Sequence, residues 1–247
     1  MSLRAYWHAA REARYSLLFA LPLLVLYETF AFALTHSAYA GVRNGADVLL
    51  KTLFVALGGG RGLAVFSLLL LGIGGWLVLR DRRRHPGSLR RGYFGLMAAE
   101  SALYALMFGA VASALTALLL APVLSAVQGP AVVRIPLASQ LVLSLGAGIY
   151  EELVFRVLLV SGLLILATRL GWTRAQAVTA AVLLSALIFS AFHYIGPLGD
   201  TFTLPSFTFR AVAGVMFSGL YVARGFGITA WTHAMYDIGL SLLAVGR

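Results

Sequence analysis

Long apolar runs, separated by short polar or glycine- and proline-containing turns, dominate the chain. A helix needs about 20 such residues to cross a bilayer. The pattern therefore predicts an all-α, polytopic membrane helical bundle, treated as one domain over residues 1–247. About seven transmembrane helices are predicted, at residues 15–34, 63–79, 93–120, 138–168, 177–194, 206–223 and 226–245.

The segment between the first two predicted spans is apolar but short. Residues 48–57 form an apolar run beside Asp47, and Lys51 interrupts it. This run falls short of the roughly 20 residues that a crossing needs. We predict an interfacial or re-entrant helix near residues 44–57.

The first apolar run has two interpretations. Basic residues precede it and Ala38-Tyr39-Ala40 follows it, as in a signal peptide. However, the run is as long as a full span, and Tyr27 and Glu28 interrupt it. We therefore predict a retained first helix, with residue 41 on the outer side in either case.

The composition is that of an integral membrane protein. Of the 247 residues, 60% are hydrophobic, and the mean hydropathy is +0.89. A soluble domain is typically about 45 to 50% apolar. The chain has no Cys, which excludes disulfides and cysteine-based chemistry.

The net charge of +10 comes from basic residues whose positions fit a membrane topology, so it does not indicate a nucleic-acid partner. Arg residues concentrate in short loops, most densely at residues 80–91. Such loops are usually cytoplasmic. We predict a cytoplasmic N-terminus, an external C-terminus and the lipid bilayer as a partner. The bias toward Arg, Ala, Leu and Gly is typical of GC-rich bacteria, so we expect a bacterial inner membrane.

Three charges lie near the middle of the predicted span 138–168: Glu151, Glu152 and Arg156. Ionisable groups at that depth cost at least a few kcal/mol and usually pair or line a cavity. Glu152 and Arg156 are i and i+4 and predict an ion pair, whereas Glu151 points about 140° away from Arg156. We expect Glu151 to face a cavity as a base. In the alternative, all three charges serve helix packing.

Two later spans carry polar pairs at one-turn spacing. Phe189 and His193 share one helix face, and His233 and Asp237 share another. Together with Glu151, the two His residues fit either of two sites. In one, the Glu deprotonates a water that attacks a carbonyl. In the other, the Glu and the two His bind Zn²⁺. Both predict hydrolysis of an amide or ester inside the membrane.

Three motifs in this order resemble the CAAX protease and bacteriocin-processing family, called CPBP or Abi. They are Glu151-Glu152-x-x-x-Arg156, Phe189-x-x-x-His193 and His233-x-x-x-Asp237. The resemblance covers about residues 92–245, which it identifies as the catalytic core. Members are intramembrane endopeptidases, so the resemblance implies a hydrolase that acts on a peptide near a membrane anchor.

The resemblance also implies roles for the catalytic residues. Glu151 and His193 would activate the water, while His233 and residue 237 would form the oxyanion site. The family is now usually regarded as glutamate-dependent, so no cofactor is expected. The alternative is a zinc site held by Glu151, His193 and His233.

Supporting roles follow in the same way. Glu152 and Arg156 would support the active-site helix, and Phe189 would pack the site. The chain departs from the family at Asp237, where many members have Asn. An Asn amide donates to an oxyanion, whereas an ionised Asp repels it. Asp237 serves as a donor if burial keeps it protonated; otherwise it orients His233.

The expected substrate is a membrane-anchored peptide or protein. CAAX-like tails, secreted peptides and C-terminal sorting signals all remain open. Two other functions remain as well: a non-catalytic immunity or scaffold protein, and a proton-coupled transporter. A protease requires Glu151, His193 and His233 to converge on one cavity, and this geometry separates it from a transporter.

Overall fold

The computed structural model describes residues 2–34, 42–121, 136–196 and 199–245. The segment Ala38-Tyr39-Ala40 and residue 41 lie outside these ranges. The described residues contain helices and connecting turns, with no strand among them, so the predicted all-α class is confirmed. The α-helices are α1 Leu3–Ala9, α2 Ala13–Ala33, α3 Gly45–Gly58, α4 Gly62–Arg84, α5 Arg91–Leu120, α6 Leu137–Gly146, α7 Ser161–Arg169, α8 Arg174–Phe192, α9 Leu204–Arg224 and α10 Phe226–Val245. Two π-helical segments, Ala147–Glu151 and Leu153–Val160, join α6 to α7.

Five helical stretches of the described chain are long and apolar enough to cross a membrane. They are Ala13–Ala33, Gly45–Arg84, Arg91–Leu120, Arg174–Phe192 and Leu204–Arg224. The predicted count of seven is not confirmed. The two other predicted spans, 138–168 and 226–245, carry the polar side chains of the candidate site. The first is divided by π-helical turns, and the second contains His233 and Asp237.

The segment 44–57 is helical from its second residue, as the sequence predicts, since α3 begins at Gly45. The chain then turns sharply at Gly59, whose φ of 57° favours glycine. The turn brings the rings of Phe54 and Phe66 to 5.3 Å between centroids. Helix α3 therefore packs against α4 instead of extending away from it.

Helix α10 is central to the bundle and packs against α2, α5, α6 and the first π-helical segment. Its residues Ile228, Ala230 and Ala234 are fully buried. Gly148 faces this helix closely: a Cβ there would lie 2.5 Å from the Ala230 carbonyl oxygen. The absence of a side chain at Gly148 therefore sets how close α10 comes to the charged segment.

A cluster of charged and polar side chains connects helix α1 to the rest of the bundle. Glu100 accepts hydrogen bonds from Tyr6 at 2.5 Å and from Arg224 at 2.5 and 2.7 Å. Burial and the neighbouring Glu100 carboxylate raise the pKa of Tyr6, which keeps its hydroxyl protonated as a donor. Arg224 also donates to the Trp7 carbonyl at 2.9 Å. Helices α1, α5 and α9 therefore meet at Glu100.

We expect Gly148→Ala to destabilise the protein by about 2 kcal/mol, because the added methyl group overpacks the contact with α10. Gly162→Ala is the matched control, since a Cβ at Gly162 meets nothing within 4 Å. Thermal unfolding in detergent would measure both. Equal unfolding midpoints for the two variants would contradict the close-approach argument.

Candidate active site

The charged segment departs from regular α-helical geometry where its carboxylates lie. Glu151 ends the first π-helical segment, and Glu152 separates it from the second. π-Helical turns are rare and frequently occur at functional sites. Glu152 and Arg156 have no exposed surface, and Glu151 is 7% exposed. The three charges therefore depend on protein partners.

The predicted ion pair between Glu152 and Arg156 is present. Arg156 Nε lies 3.2 Å from Glu152 Oε2, in a contact that is electrostatic and not a well-aligned hydrogen bond. The guanidinium carbon is 4.5 Å from the centroid of the Phe189 ring and 5.6 Å from that of Phe217. Among the described residues, its Nη atoms have no hydrogen-bond partner. Aromatic faces and one carboxylate thus surround this cation.

Glu152 also holds His233, a contact that the spacing of the motifs does not predict. His233 Nδ1 and Glu152 Oε1 are 2.7 Å apart, so the imidazole donates from Nδ1. Its ring stacks on Phe217 at 4.3 Å. The other nitrogen, Nε2, lies 3.5 Å from Asp237 Oδ2. One carboxylate and one aromatic ring therefore orient His233.

Glu151 has partners from two other parts of the chain. Its Oε1 accepts a hydrogen bond from Asn44 Nδ2 at 2.7 Å, and its Oε2 lies 4.0 Å from His193 Nε2. His193 Nδ1 contacts the Phe189 carbonyl oxygen at 2.8 Å. Because a carbonyl can only accept, Nδ1 carries the proton and donates it, which leaves Nε2 to face Glu151.

The predicted catalytic residues meet at one cavity of about 290 Å³. Its lining is Glu151, Phe189, His193, Ser206, Phe209, Arg210, Ala213, Phe217, His233, Tyr236, Asp237 and Leu240. The four predicted catalytic side chains and Phe189 are all in this lining. Glu152 and Arg156 are outside it and contact the lining residues from behind.

Two polar residues near the cavity escaped prediction as site residues. Asn44 lies far from the motifs in sequence, and no pattern marks it. Arg210 was visible only as a charge within an apolar run. It donates to Tyr194 at 3.0 Å and to Ser206 at 2.9 Å, and it forms an ion pair with Asp200. Arg210 lines the cavity. Its charge is balanced by Asp200, which lies in the loop before α9.

The ligand atoms of Glu151, His193 and His233 do not form a compact metal-binding group. In the described part of the chain, only Glu12, Asp81 and His85 bring three potential ligand atoms within 4.8 Å of one another. At the candidate site, each imidazole Nδ1 contacts a protein oxygen, which leaves Nε2 as the nitrogen available to a ligand. Zinc binding by all three would require their side chains to move closer together.

Long apolar helices around a buried set of carboxylates and imidazoles define an integral membrane protein. Residues 133–239 match the model of the Rce1-like family, described as type II CAAX prenyl endopeptidase Rce1-like. This match confirms that the three motifs resemble a CAAX protease, and the similarity covers less than half of the chain. The family is one of proteases, and the match supports hydrolase activity in general. No curated protein and no solved structure matches the chain.

We expect Arg156→Ala to destabilise the protein by about 3 kcal/mol or more, since it removes one partner of a buried ion pair. Arg156→Lys should recover only part of this loss, because an ammonium lacks the planar surface that packs on Phe189. Chemical or thermal unfolding in detergent would measure the effect.

The matched control for this prediction is Arg169→Ala, which changes an exposed Arg of the following helix. Surface substitutions usually alter stability by less than about 0.5 kcal/mol. Equal unfolding of the Arg156 and Arg169 variants would show that the buried guanidinium is not a structural requirement.

Proposed function

We propose that this protein is an intramembrane endopeptidase that hydrolyses a peptide bond near the membrane anchor of its substrate. The observation that carries the proposal is the convergence of Glu151, His193 and His233 on one cavity. The Rce1-like match over residues 133–239 supports the same class of reaction. No metal ion is required in the proposed reaction.

Glu151 and His193 activate the water in this proposal. A water molecule can hydrogen-bond to both Glu151 Oε2 and His193 Nε2, because these atoms are 4.0 Å apart. Both atoms accept hydrogen bonds, so they direct a lone pair of the water oxygen toward the substrate carbonyl. Glu151 takes the proton as the water oxygen bonds to the carbonyl carbon.

The carbonyl electron pair moves to oxygen in the same step, and donors in the cavity stabilise the oxyanion. His233 and Asp237 line the same cavity, and in this proposal they face the oxyanion. A doubly protonated His233 donates Nδ1–H to Glu152 and Nε2–H to the oxyanion. When the carbonyl re-forms, the C–N bond breaks with its electron pair on nitrogen, and Glu151 returns the proton to that nitrogen. One water is consumed, and a carboxylic acid and an amine are produced.

Glu152 and Arg156 support this geometry from outside the cavity lining, and Phe189 supports it from within the lining. Arg156 balances the charge of Glu152, and Glu152 orients His233. Phe189 packs edge-on against the His193 ring at 4.8 Å and carries the carbonyl that sets its tautomer. Preorganised dipoles of this kind cost no rearrangement during reaction.

We propose a membrane-anchored peptide or protein as the substrate. The aromatic and aliphatic part of the cavity wall, Phe189, Phe209, Phe217 and Leu240, suits an apolar peptide segment. CAAX-like tails, secreted peptides and C-terminal sorting signals are the candidate classes. A bacterial inner membrane with the N-terminus in the cytoplasm is the proposed location.

We expect Glu151→Gln and His193→Ala each to lower kcat at least about 100-fold, because general base catalysis contributes roughly 10² to 10⁴ in rate. The amide introduced by Glu151→Gln matches the size of the carboxylate but cannot take a proton from water. Purified protein in detergent, with a library of quenched membrane-anchored peptides, would measure the cleavage.

Glu12→Gln is the control, since this carboxylate is outside the cavity lining and should leave cleavage unchanged. Cleavage that survives Glu151→Gln would remove Glu151 as the base. Chelator inhibition that Zn²⁺ reverses would favour the zinc alternative. A wild type that cleaves none of the peptides would favour the immunity, scaffold or transporter function.

We expect Asp237→Asn to keep kcat at or above that of wild type. Glu152 already orients His233, and Asp237 Oδ2 is 3.5 Å from Nε2, beyond a normal hydrogen bond. An amide donates to the oxyanion without needing a proton. Asp237→Ala should lower kcat, and the same peptide assay would compare both variants. Complete loss in Asp237→Asn would instead assign a carboxylate role.

A further inference from the structure

Asn44 reaches the candidate base from outside the family-matched segment 133–239. It precedes α3 and is 5% exposed. Its side-chain Nδ2 donates to Glu151 Oε1 at 2.7 Å. A hydrogen bond to a buried carboxylate is charge-assisted and stronger than one between neutral groups. Asn44 is therefore a direct polar partner of Glu151.

The Asn44 side chain is held in one orientation. Its Oδ1 accepts from the Ala46 backbone N–H at 2.9 Å, which caps the first turn of α3. Because this contact requires an acceptor, the oxygen faces the helix and the amide nitrogen faces Glu151. The Asn44 backbone N–H donates to the Tyr27 hydroxyl at 3.2 Å. Both the main chain and the side chain are thus fixed before any substrate enters.

A buried polar cluster supports this arrangement from the side away from the cavity. Tyr27 donates to Asp47 Oδ2 at 2.8 Å. Asp47 has no exposed side-chain surface and pairs with Arg43 at 2.9 Å and Lys51 at 2.7 Å. The start of α3 is therefore tied to α2 through polar and charged contacts, which are stronger in a low-dielectric interior than in water.

The close approach of Asn44 depends on a glycine in α6. A Cβ at Gly146 would lie 2.5 Å from Asn44 Cβ and 2.6 Å from Tyr27 Cε2. Contacts that short do not occur, so a side chain at Gly146 would displace Asn44. Asn44 thus provides the hydrogen-bond donor, and Gly146 provides the space that the Asn44 side chain occupies.

We propose that Asn44 is a positioning residue that holds the Glu151 carboxylate in the orientation that activates water. This inference rests on the proposed function. With Oε1 bound to Asn44, the carboxylate cannot rotate freely, and Oε2 stays directed toward His193 Nε2. The N-terminal part of the chain thereby takes part in the chemistry of the Rce1-like segment.

Asn44→Ser separates this role from helix capping. Ser is about as good an N-cap as Asn, so α3 keeps its cap, but its hydroxyl is too short to reach Glu151. We expect kcat to fall about tenfold with KM unchanged, since Asn44 is outside the cavity lining. An unfolding midpoint close to that of wild type would show that the cap is kept. Unchanged kcat in a folded Asn44→Ser protein would overturn the proposal.

Gly146→Ala provides a second variant that leaves Asn44 chemically intact. We expect it to lower kcat by displacing Asn44, also without a change in KM. Gly162→Ala, in α7, is the matched control, because a Cβ there meets nothing within 4 Å. An equal effect of the two glycine variants on kcat would contradict the geometry.

Infrared spectroscopy tests the contact without any substrate. The difference between wild type and Glu151→Gln isolates the carboxylate stretch of Glu151, and the same difference is measured in the Asn44→Ser background. We expect that band to shift when the donor is lost, and a band that stays in place would overturn the proposal. If no peptide is cleaved but the band shifts, the proposed function fails while the Asn44 contact remains.

Discussion

The structure depends on one constraint: charges buried in an apolar bundle must find their partners within the protein. A lone ionised group at that depth costs several kcal/mol. Glu152 meets the constraint with Arg156 on its own helix and His233 on α10. Glu151 meets it with Asn44. The contacts that make these charges tolerable therefore also link three distant parts of the chain at one cavity.

Aromatic rings contact the buried Arg156 guanidinium where it has no hydrogen-bond partner among the described residues. Phe217 lies between two cationic or ionisable side chains: its ring centroid is 4.3 Å from the His233 ring and 5.6 Å from the Arg156 guanidinium carbon. Phe189 packs against Arg156 as well, and its carbonyl fixes the tautomer of His193. Because aromatic rings are rigid, they hold the neighbouring side chains in place. The same side chains thus stabilise the charges and shape the site.

Local spacing made much of this site predictable. The i, i+4 relation between Glu152 and Arg156 correctly gave the ion pair, and one-turn spacing put His233 and Asp237 on one face. Contacts between helices had no such signal. The bond from Glu152 to His233 requires α10 to approach the charged segment, which Gly148 permits only through tertiary packing. The polar residues of the site also lower the hydropathy of the predicted spans 138–168 and 226–245. These two spans are not among the five stretches of the described chain that are long and apolar enough to cross a membrane, so the predicted count of seven is not confirmed.

The limits of the family-like segment and of the site do not coincide. The predicted catalytic core at residues 92–245 contains the predicted catalytic residues, but it omits Asn44 and Tyr27. Without Asn44, Glu151 Oε1 would lose its hydrogen-bond donor. Without both residues, the space beside Gly146 would lose the side chains that occupy it. The Glu151 carboxylate would then keep its contact with His193 but lose the hydrogen bond that fixes its orientation. Helices α2 and α3 are therefore part of the physical site, although the motifs that identify it lie elsewhere.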